Sequence, residues 1–285
     1  MLCKDHWVDM SWDGLPIRQR KENLLVKFNK KASNLISFEQ ACDQVAQEIY
    51  SQHKNLYLGL SGGSDSENVA NVLVRNKIPF TPVIVDYNHL ESQKYVYESW
   101  YARYWCKQHN IEPFVVKSKE YVNSPKDKER FIQLKPRLLG GPVTSGMLLD
   151  AIEKQGGKLL TGFQLEYYPD HEQMEYLRPQ VQDYKGFVLE ESDLYIEALV
   201  PDQHPWAFHY WSPEIMAAFV NEWDVTLTMQ ENKAAIYKTS PRPKFLYPDM
   251  FFGPETKREP FIKNFGTLDC ALLGTKELLL KKLVK

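Results

Sequence analysis

The stretch that most constrains the fold is an apolar run, residues 56–60, followed at once by two glycines and a group of small polar residues. The run has the length of a buried strand, and the apolar positions after Asp65 recur with helical spacing. Gly62 and Gly63 lie at the joint. Because glycine adopts positive φ without steric cost, backbone N–H groups there can surround an anion, and the helix N-terminus adds partial positive charge. The stretch therefore predicts a strand, a phosphate-binding loop and a helix.

The residue types in this loop exclude two common phosphate-binding motifs. No lysine follows Gly63 as it does in a Walker loop, and the G-x-G-x-x-G pattern of dinucleotide-binding folds is missing. Instead, Ser61, Ser64 and Ser66 offer hydroxyl groups. The carboxylate of Asp65 would repel a phosphate unless a cation bridges the two groups. The loop therefore predicts a bound Mg²⁺ ion together with the phosphate.

Residues 61–66, Ser-Gly-Gly-Ser-Asp-Ser, resemble the SGGxDS signature of the PP-loop ATP pyrophosphatases. That group includes asparagine, GMP and NAD synthetases, tRNA-lysidine synthetase and the more distant phosphoadenylylsulfate reductases, and the chain is most similar in character to the asparagine synthetase synthase domain. The resemblance covers about residues 37–170. It implies an α/β fold of the HUP-like type with a doubly wound parallel sheet, and it implies ATP and Mg²⁺ as ligands.

A second stretch, residues 158–166, has the pattern of a buried strand with polar residues at its end. In asparagine-synthetase-like members a glycine ends the corresponding strand, and a metal-binding carboxylate follows four residues later. Gly162 and Glu166 match that spacing, although the family has aspartate where this chain has Glu166. The resemblance thus implies Asp65 and Glu166 as metal ligands, with Asp170 as the alternative to Glu166.

A third apolar run, residues 80–86, ends at Asp86 and predicts a second buried strand. The alternation of strands and helices favours a parallel sheet that binds its ligand at the carboxyl ends of the strands. Backbone groups near Val85 are expected to contact the base, and Asp86 could reach a ribose hydroxyl. The predicted nucleotide-binding residues are Leu60, Ser61, Gly62, Gly63, Ser64, Asp65, Ser66, Val85, Asp86 and Gly162.

The sequence predicts three regions: an N-terminal arm or hairpin at residues 1–36, the nucleotide-binding domain at residues 37–200, and an irregular C-terminal extension at residues 201–285. Eight of the seventeen prolines lie between Pro201 and Pro260, so the extension is not expected to be a simple helix. Its basic residues are Lys233, Lys238, Arg242, Lys244, Lys257 and Arg258. We interpret this segment as a cationic cover over the pyrophosphate or the acceptor, with Asp65, Lys238 and Lys244 as catalytic residues. The alternative is a wrapping tail whose lysines only face solvent.

Composition limits the other possibilities. The net charge of −2 does not indicate a general nucleic-acid surface, although it leaves a local basic patch open. The four cysteines form no C-x-x-C pair, which argues against a zinc knuckle or a cysteine-held iron–sulfur cluster. Scattered thiols and the lack of a long apolar run predict a cytoplasmic protein without a membrane partner. Homo-oligomer formation stays open.

The resemblance implies an ATP-dependent ligase or transferase that adenylates an acceptor, releases pyrophosphate, and lets a nitrogen or sulfur nucleophile displace AMP. The acceptor is unidentified, and the donor could be free ammonia or a separate protein. One alternative is an enzyme similar to the phosphoadenylylsulfate reductases, which would need a catalytic cysteine such as Cys270. The other is a nucleotide-binding pseudoenzyme.

Overall fold

The computed structural model describes residues 7–11, 25–86, 93–117, 148, 151–162, 166–167, 193–197, 206–239 and 270–285. In chain order its strands are β1 (Val8–Ser11), β2 (Leu25–Phe28), β3 (Leu56–Gly59), β4 (Thr81–Asp86), β5 (Phe114–Lys117), β6 (Lys158–Thr161), β7 (Glu166–Tyr167), β8 (Asp193–Glu197), β9 (Trp206–Ala207) and β10 (Cys270–Thr275). The helices with defined bounds are α1 (Phe38–Gln52), α2 (Ser64–Arg75), α3 (Gln93–His109), α4 (Pro213–Glu222), α5 (Met229–Tyr237) and α6 (Lys276–Leu283).

A five-stranded sheet with the order β5-β4-β3-β6-β9 lies at the centre, and every neighbouring pair in it is parallel. The strand order reverses beside β3, because the next strand in the chain, β4, pairs on one side and β6 pairs on the other. In parallel α/β sheets a crevice forms at the carboxyl ends of the strands on either side of such a reversal. The predicted α/β fold with a doubly wound parallel sheet is confirmed, and its crevice lies between the ends of β3 and β6.

Apolar side chains on both faces of this sheet hold the fold together. In β4, Ile84 belongs to the larger core cluster, whereas Val83 and Val85 belong to a smaller cluster on the other face. This alternation follows from the two-residue period of a strand. The larger cluster contains buried residues from α1, α2, α3, α4 and α6, so these helices cover one face of the sheet.

Helix α1 begins after Ser37, and Gln40 follows three residues later in the sequence pattern of a capping box. Ser37 is the N-cap and accepts a hydrogen bond from the backbone N–H of Gln40 at 3.2 Å, while the Gln40 side chain accepts one from the backbone N–H of Ser37 at 3.3 Å. Two donors that the helix leaves unpaired are satisfied in this way. The backbone N–H of Phe38 also donates to Glu222 at the end of α4, which fixes the two helices to each other.

Two smaller antiparallel sheets accompany the central one. Strands β1 and β2 pair with each other, and β8 pairs with both β10 and β7. The fully buried Trp7, just before β1, donates its ring N–H to the backbone carbonyl of Tyr210 at 2.9 Å. The described part of the N-terminal region is therefore attached to the core that the central sheet organises. Within the described residues, no helix is long and apolar enough to cross a membrane.

The described part of the C-terminal region packs with the central sheet. Strand β9 completes that sheet, and α4 and α5 contribute residues to the larger core cluster. The predicted boundary at residue 200 stays a prediction. Within this extension the residues before Lys238 form the regular helix α5. No proline lies between Pro213 and Pro241, and a two-residue strand such as β9 is too short to show any hydrophobic period.

Replacing Leu58 by alanine should destabilise this fold strongly. Leu58 is fully buried in β3, the central strand, and loss of a buried leucine side chain typically costs about 2–5 kcal/mol. Chemical denaturation followed by circular dichroism measures the free energy of unfolding. The matched control is Leu278→Ala on α6, where the side chain is 46% exposed and the expected change is within about 0.5 kcal/mol. Equal losses in the two variants would contradict the central position of β3.

Candidate functional site

In the loop between β3 and α2, one of the two glycines has the positive φ that the sequence predicts. Gly62 has a φ of 91°, which side chains with a Cβ rarely adopt, so a glycine is required there. Gly63 has a φ of −76° and is the N-cap of α2 without a side-chain hydrogen bond. The chain thus leaves β3, turns sharply at Gly62, and enters α2 with the first backbone N–H groups of the helix exposed to the loop.

Hydroxyl groups inside the loop fix its shape. The Ser66 hydroxyl donates to the backbone carbonyl of Gly63 at 3.1 Å. Because a hydroxyl has a single proton, Ser66 Oγ can only accept from Ser61, whose backbone N–H and hydroxyl lie 3.3 Å and 3.1 Å away. The Ser61 oxygen in turn accepts the backbone N–H of Gly63 at 3.3 Å. The two serines therefore hold the loop in shape, rather than presenting their hydroxyl groups as free donors.

The start of α2 offers donors that the loop does not use. The backbone N–H groups of Ser64 and Asp65 have no acceptor within the part of the chain that the structure describes, as is usual for the first residues of a helix. They carry the positive end of the helix dipole. This end of α2 can therefore bind an anionic group such as a phosphate.

The end of β6 lies directly against this loop. A Cβ atom added to Gly162 would come within 2.6 Å of the backbone carbon of Asp65 and the backbone nitrogen of Ser66, and real Cβ atoms do not approach backbone this closely. Gly162 is therefore required because the two chain segments touch through their backbones. Gly162 thus lies against Asp65 and Ser66, and its contact with a nucleotide stays a prediction.

Helix α5 brings a cation to Asp65. The Lys233 ammonium lies 2.8 Å from Asp65 Oδ2, and the Tyr237 hydroxyl donates to Asp65 Oδ1 at 2.7 Å. The Lys233 side chain is only 4% exposed, whereas that of Asp65 is 28% exposed. An ammonium this deeply buried loses most of its hydration, so it needs a nearby negative partner. Both oxygens of the Asp65 carboxylate thus have partners on α5.

The start of α5 is held firmly by polar contacts. Thr228 and Glu231 form a capping box, and the hydrogen bonds from Thr228 lower the pKa of the Glu231 carboxyl. The buried Asn232 accepts the backbone N–H of Asp224 at 2.7 Å, and its amide donates to the Asp224 carbonyl at the same distance. These contacts attach the start of α5 to the turn before it. The backbone at Lys233 is therefore held in place while its side chain extends to the loop.

A buried histidine connects the end of β6 with α2. His209 Nδ1 lies 3.3 Å from the carbonyl oxygen of Gly162, and Nε2 lies 3.0 Å from the amide nitrogen of Asn68. A carbonyl only accepts, so Nδ1 carries the proton and Nε2 accepts from Asn68. The His209 ring also stacks on Tyr237 with ring centres 5.8 Å apart. His209 therefore holds Gly162, α2 and α5 in one arrangement.

Three further predicted nucleotide contacts lie at or near the carboxyl ends of β3 and β4. Leu60 is buried, and its backbone N–H donates to the Val83 carbonyl at 2.8 Å. Val85 is buried in the smaller core cluster. Asp86 Oδ2 lies 3.7 Å from the Arg103 guanidinium. The structure thus places Leu60, Val85 and Asp86 at the expected edge of the sheet, and their contact with a nucleotide stays a prediction.

The structure does not bring Lys238 to the loop. Its ammonium is bound to Glu39 and lowers the pKa of that carboxyl, and the Lys238 side chain is 71% exposed. Its backbone has the left-handed conformation that ends α5, so the side chain leaves the helix in a different direction from Lys233. Lys244 and Asp170 lie outside the described residues. The backbone of Glu166 belongs to β7, but the structure does not describe the Glu166 side chain, so its role as a metal ligand stays a prediction.

Sequence reasoning missed the contacts of Lys233, Tyr237, Asn68 and His209. One signal was available for the first two, because Thr228 followed three residues later by Glu231 is a helix start, and a helix places Lys233 and Tyr237 on the same face. No local pattern marks a single histidine as a bridge between a strand end and a helix.

Asp65 could take part in holding a magnesium ion. Among the described residues, no three histidine, cysteine or acidic side chains lie close enough together to hold a metal. However, Mg²⁺ is usually held by one or two carboxylates together with substrate phosphates and water. A carboxylate has about four lone-pair positions, and Asp65 uses two of them towards Lys233 and Tyr237. Asp65 therefore fits the role of a single protein ligand to an ion that phosphate oxygens also bind.

Comparison with known proteins gives one local match. No family model matches the chain. The chain is similar to the tRNA(Ile)-lysidine synthases of two strains of Streptococcus thermophilus, with 33% identity over 75 residues, or 25% of this chain. The match spans 18% of the length of these relatives. Because tRNA-lysidine synthetase is among the enzymes whose signature residues 61–66 resemble, the predicted resemblance to the PP-loop ATP pyrophosphatases is confirmed.

Similar solved structures include NMN synthetase from Francisella tularensis, with 14% identity and a TM-score of 0.34 over 74% of this chain and 97% of that chain. Another is an ammonia-dependent NAD synthetase from Campylobacter jejuni, with 18% identity and a TM-score of 0.32 over 45% of this chain and 55% of that one. At TM-scores this low, neither the fold nor the activity of the chain is inferred from them.

A methyl group at residue 162 should disturb the loop. We expect Gly162→Ala to lower the free energy of unfolding by about 1–3 kcal/mol, because the added carbon would push against the backbone of Asp65 and Ser66. The control is Gly63→Ala, where φ is negative and the added carbon would meet only the Ser61 hydroxyl at 3.4 Å. Its stability should change by less than about 1 kcal/mol. Thermal and chemical unfolding of both variants measure the difference, and a harmless Gly162→Ala would contradict the close contact.

Acid should loosen the start of α5. Since hydrogen bonds from Thr228 lower the pKa of Glu231 in the folded protein, ionised Glu231 stabilises the fold above its unfolded pKa of about 4.3. This contribution is lost as the pH falls through the lowered folded pKa. Unfolding midpoints measured between neutral pH and about pH 3 should therefore fall more steeply for the native sequence than for Glu231→Gln, which carries no charge at this position. Parallel curves would contradict the charged cap.

Proposed function

We propose that this protein is an ATP-dependent ligase or transferase that adenylates an acceptor and releases pyrophosphate. The observation that carries the proposal is the loop at residues 61–66, which opens at the reversal point of a parallel sheet with unused backbone N–H groups at the start of α2. Such a loop suits a phosphate group. The resemblance of these six residues to the PP-loop ATP pyrophosphatases supports the choice of ATP as the nucleotide.

In this proposal the phosphates bind at the N-terminus of α2, and the adenosine lies across the carboxyl ends of β3, β4 and β6. The backbone near Val85 would contact the base. Asp86 would approach the ribose while Arg103 holds its carboxylate in place. Gly162 leaves room because it has no side chain between β6 and the loop.

The reaction needs positioning and charge neutralisation more than a protein nucleophile. An acceptor oxygen attacks the α-phosphorus of ATP, the bond from that phosphorus to the bridging oxygen breaks, and pyrophosphate leaves with the electron pair. A nitrogen or sulfur nucleophile then displaces AMP from the adenylated acceptor. The N–H groups at α2 would stabilise the negative charge of the phosphates. When bound, Mg²⁺ would neutralise phosphate charge, with Asp65 and Glu166 as its proposed protein ligands.

Buried thiols weigh against a redox role for the two cysteines that the structure describes in full. Burial raises the pKa of the Cys42 thiol well above its usual range, and it raises that of Cys106 to about 11. Because the thiolate is the reactive form, both are poor nucleophiles near neutral pH. Neither of these two thiols therefore suits the role of the catalytic cysteine in a mechanism similar to that of the phosphoadenylylsulfate reductases. The side chain of Cys270 lies outside the described residues.

The remaining partners belong to the proposal as well. The acceptor is a small molecule or a macromolecule that carries an attacking oxygen, and the second nucleophile is free ammonia or a group delivered by a separate protein. We place the reaction in the cytoplasm, because the free thiols of Cys42 and Cys106 suit a reducing compartment. Lys244 is retained as a proposed catalytic cation in the C-terminal cover.

The products distinguish this reaction from other uses of ATP. Purified protein incubated with Mg²⁺, ATP labelled at the α-phosphorus and fractions of a cell extract should form labelled AMP and pyrophosphate only when the acceptor is present. Chromatography resolves the nucleotides and any labelled adduct. Formation of ADP and inorganic phosphate by the protein would overturn the proposal.

A variant at the loop tests the same assignment. We expect Asp65→Asn to lower kcat and kcat/KM together by about a hundredfold, because it removes the charge that would hold Mg²⁺ beside the phosphates. Lys54→Met is the control, since Lys54 is exposed before β3, at the opposite end of that strand from the loop. It should leave the rate of pyrophosphate release unchanged.

A further inference from the structure

The loop at residues 61–66 contains a charge that opposes its proposed ligand. Asp65 lies in the first turn of α2, next to the backbone N–H groups that would receive a phosphate. Two negative groups this close repel each other, and the repulsion is strongest where water is partly excluded. A cation must therefore offset the Asp65 charge before an anion can bind tightly.

The structure contains such a cation in the protein itself. Lys233 lies 2.8 Å from Asp65 Oδ2 and is 3% exposed, while Tyr237 donates to the other oxygen of the carboxylate. Asn232 and the Thr228 capping box fix the start of α5, so the ammonium is held near the loop. A buried lysine is costly unless it is paired, and the Lys233 ammonium contacts the Asp65 carboxylate.

We propose that Lys233 is a positioning residue that neutralises Asp65 and so allows the loop to bind the pyrophosphate part of its ligand without a divalent cation. This inference rests on the proposed function, because it assumes that the loop binds phosphates. It adds that the first counter-charge of Asp65 is an ammonium group from α5. Magnesium is then needed for turnover but not for the first binding of the anion.

The charges predict a specific pattern among variants. Removing Lys233 alone leaves the Asp65 carboxylate uncompensated beside the phosphate site, so anion affinity should fall. Removing both charges leaves no repulsion, so affinity should return. A residue that served only to hold the fold would not be rescued in this way, because the second substitution restores no packing.

The experiment measures binding of inorganic pyrophosphate by isothermal titration calorimetry in the presence of EDTA. We expect the native protein to bind, and Lys233→Met to bind at least about tenfold more weakly, which corresponds to about 1.4 kcal/mol. The double variant Asp65→Asn with Lys233→Met should return to within about threefold of the native affinity. The same titrations with Mg²⁺ present should show a smaller difference between the native protein and Lys233→Met.

Two further variants control for indirect effects. Lys54→Met removes the same charge from the exposed surface at the other end of β3 and should leave pyrophosphate affinity unchanged. Tyr237→Phe removes one donor to Asp65 but keeps the ring that stacks on His209, so it should weaken binding less than Lys233→Met does. Circular dichroism establishes that each variant is folded, and Tyr237→Phe keeps the test valid if Lys233→Met does not fold.

The outcomes separate this inference from the proposed function. If the native protein binds pyrophosphate only when Mg²⁺ is present, the inference is overturned and the proposed function stands. If the native protein binds pyrophosphate and ATP under neither condition, both are overturned. An affinity that is equally low in Lys233→Met and in the double variant would also overturn the inference, because the charge of Asp65 would then have no part in the loss.

Discussion

The site depends on the backbone contact between Gly162 at the end of β6 and the first turn of α2. The reversal of strand order beside β3 brings the ends of β3 and β6 next to each other, and the missing side chain of Gly162 lets the two backbones touch. The buried His209 side chain forms hydrogen bonds with the Gly162 carbonyl and with Asn68 on α2. These two bonds stabilise the contact between the end of β6 and α2. The shape of the loop is therefore a property of the sheet as much as of the loop sequence.

The cation that pairs with Asp65 comes from α5, a helix far from the loop in the sequence. Helix α5 belongs to the core through Ile236 and Tyr237, and the same helix carries Lys233 to Asp65. Packing and function are coupled at this point, because a helix that is anchored by apolar contacts holds a buried ammonium in place. The exposed Lys238 on the next turn pairs instead with Glu39, where solvent screening makes the interaction weak.

Local patterns predicted much of this structure. The strands at β3 and β4, the helix start at Ser37 and the positive φ of Gly62 all follow from short stretches of residue types. The spacing of Thr228 and Glu231 indicates the start of helix α5, although the prolines from Pro241 onward argue against a helix in the sequence that follows. Strand β9 has two residues, and no periodicity can be recognised over so short a length.

The sequence by itself determined the loop, because a turn that needs positive φ at Gly62 and hydroxyl groups from Ser61 and Ser66 is written in consecutive residues. The tertiary structure decided which cation meets Asp65. Lys233 and Asp65 are 168 residues apart, and their contact requires α5 to pack against α2. The physical reason is that hydrogen bonds within a turn act over a few residues, whereas an ion pair between distant segments forms only where burial of apolar surface brings them together.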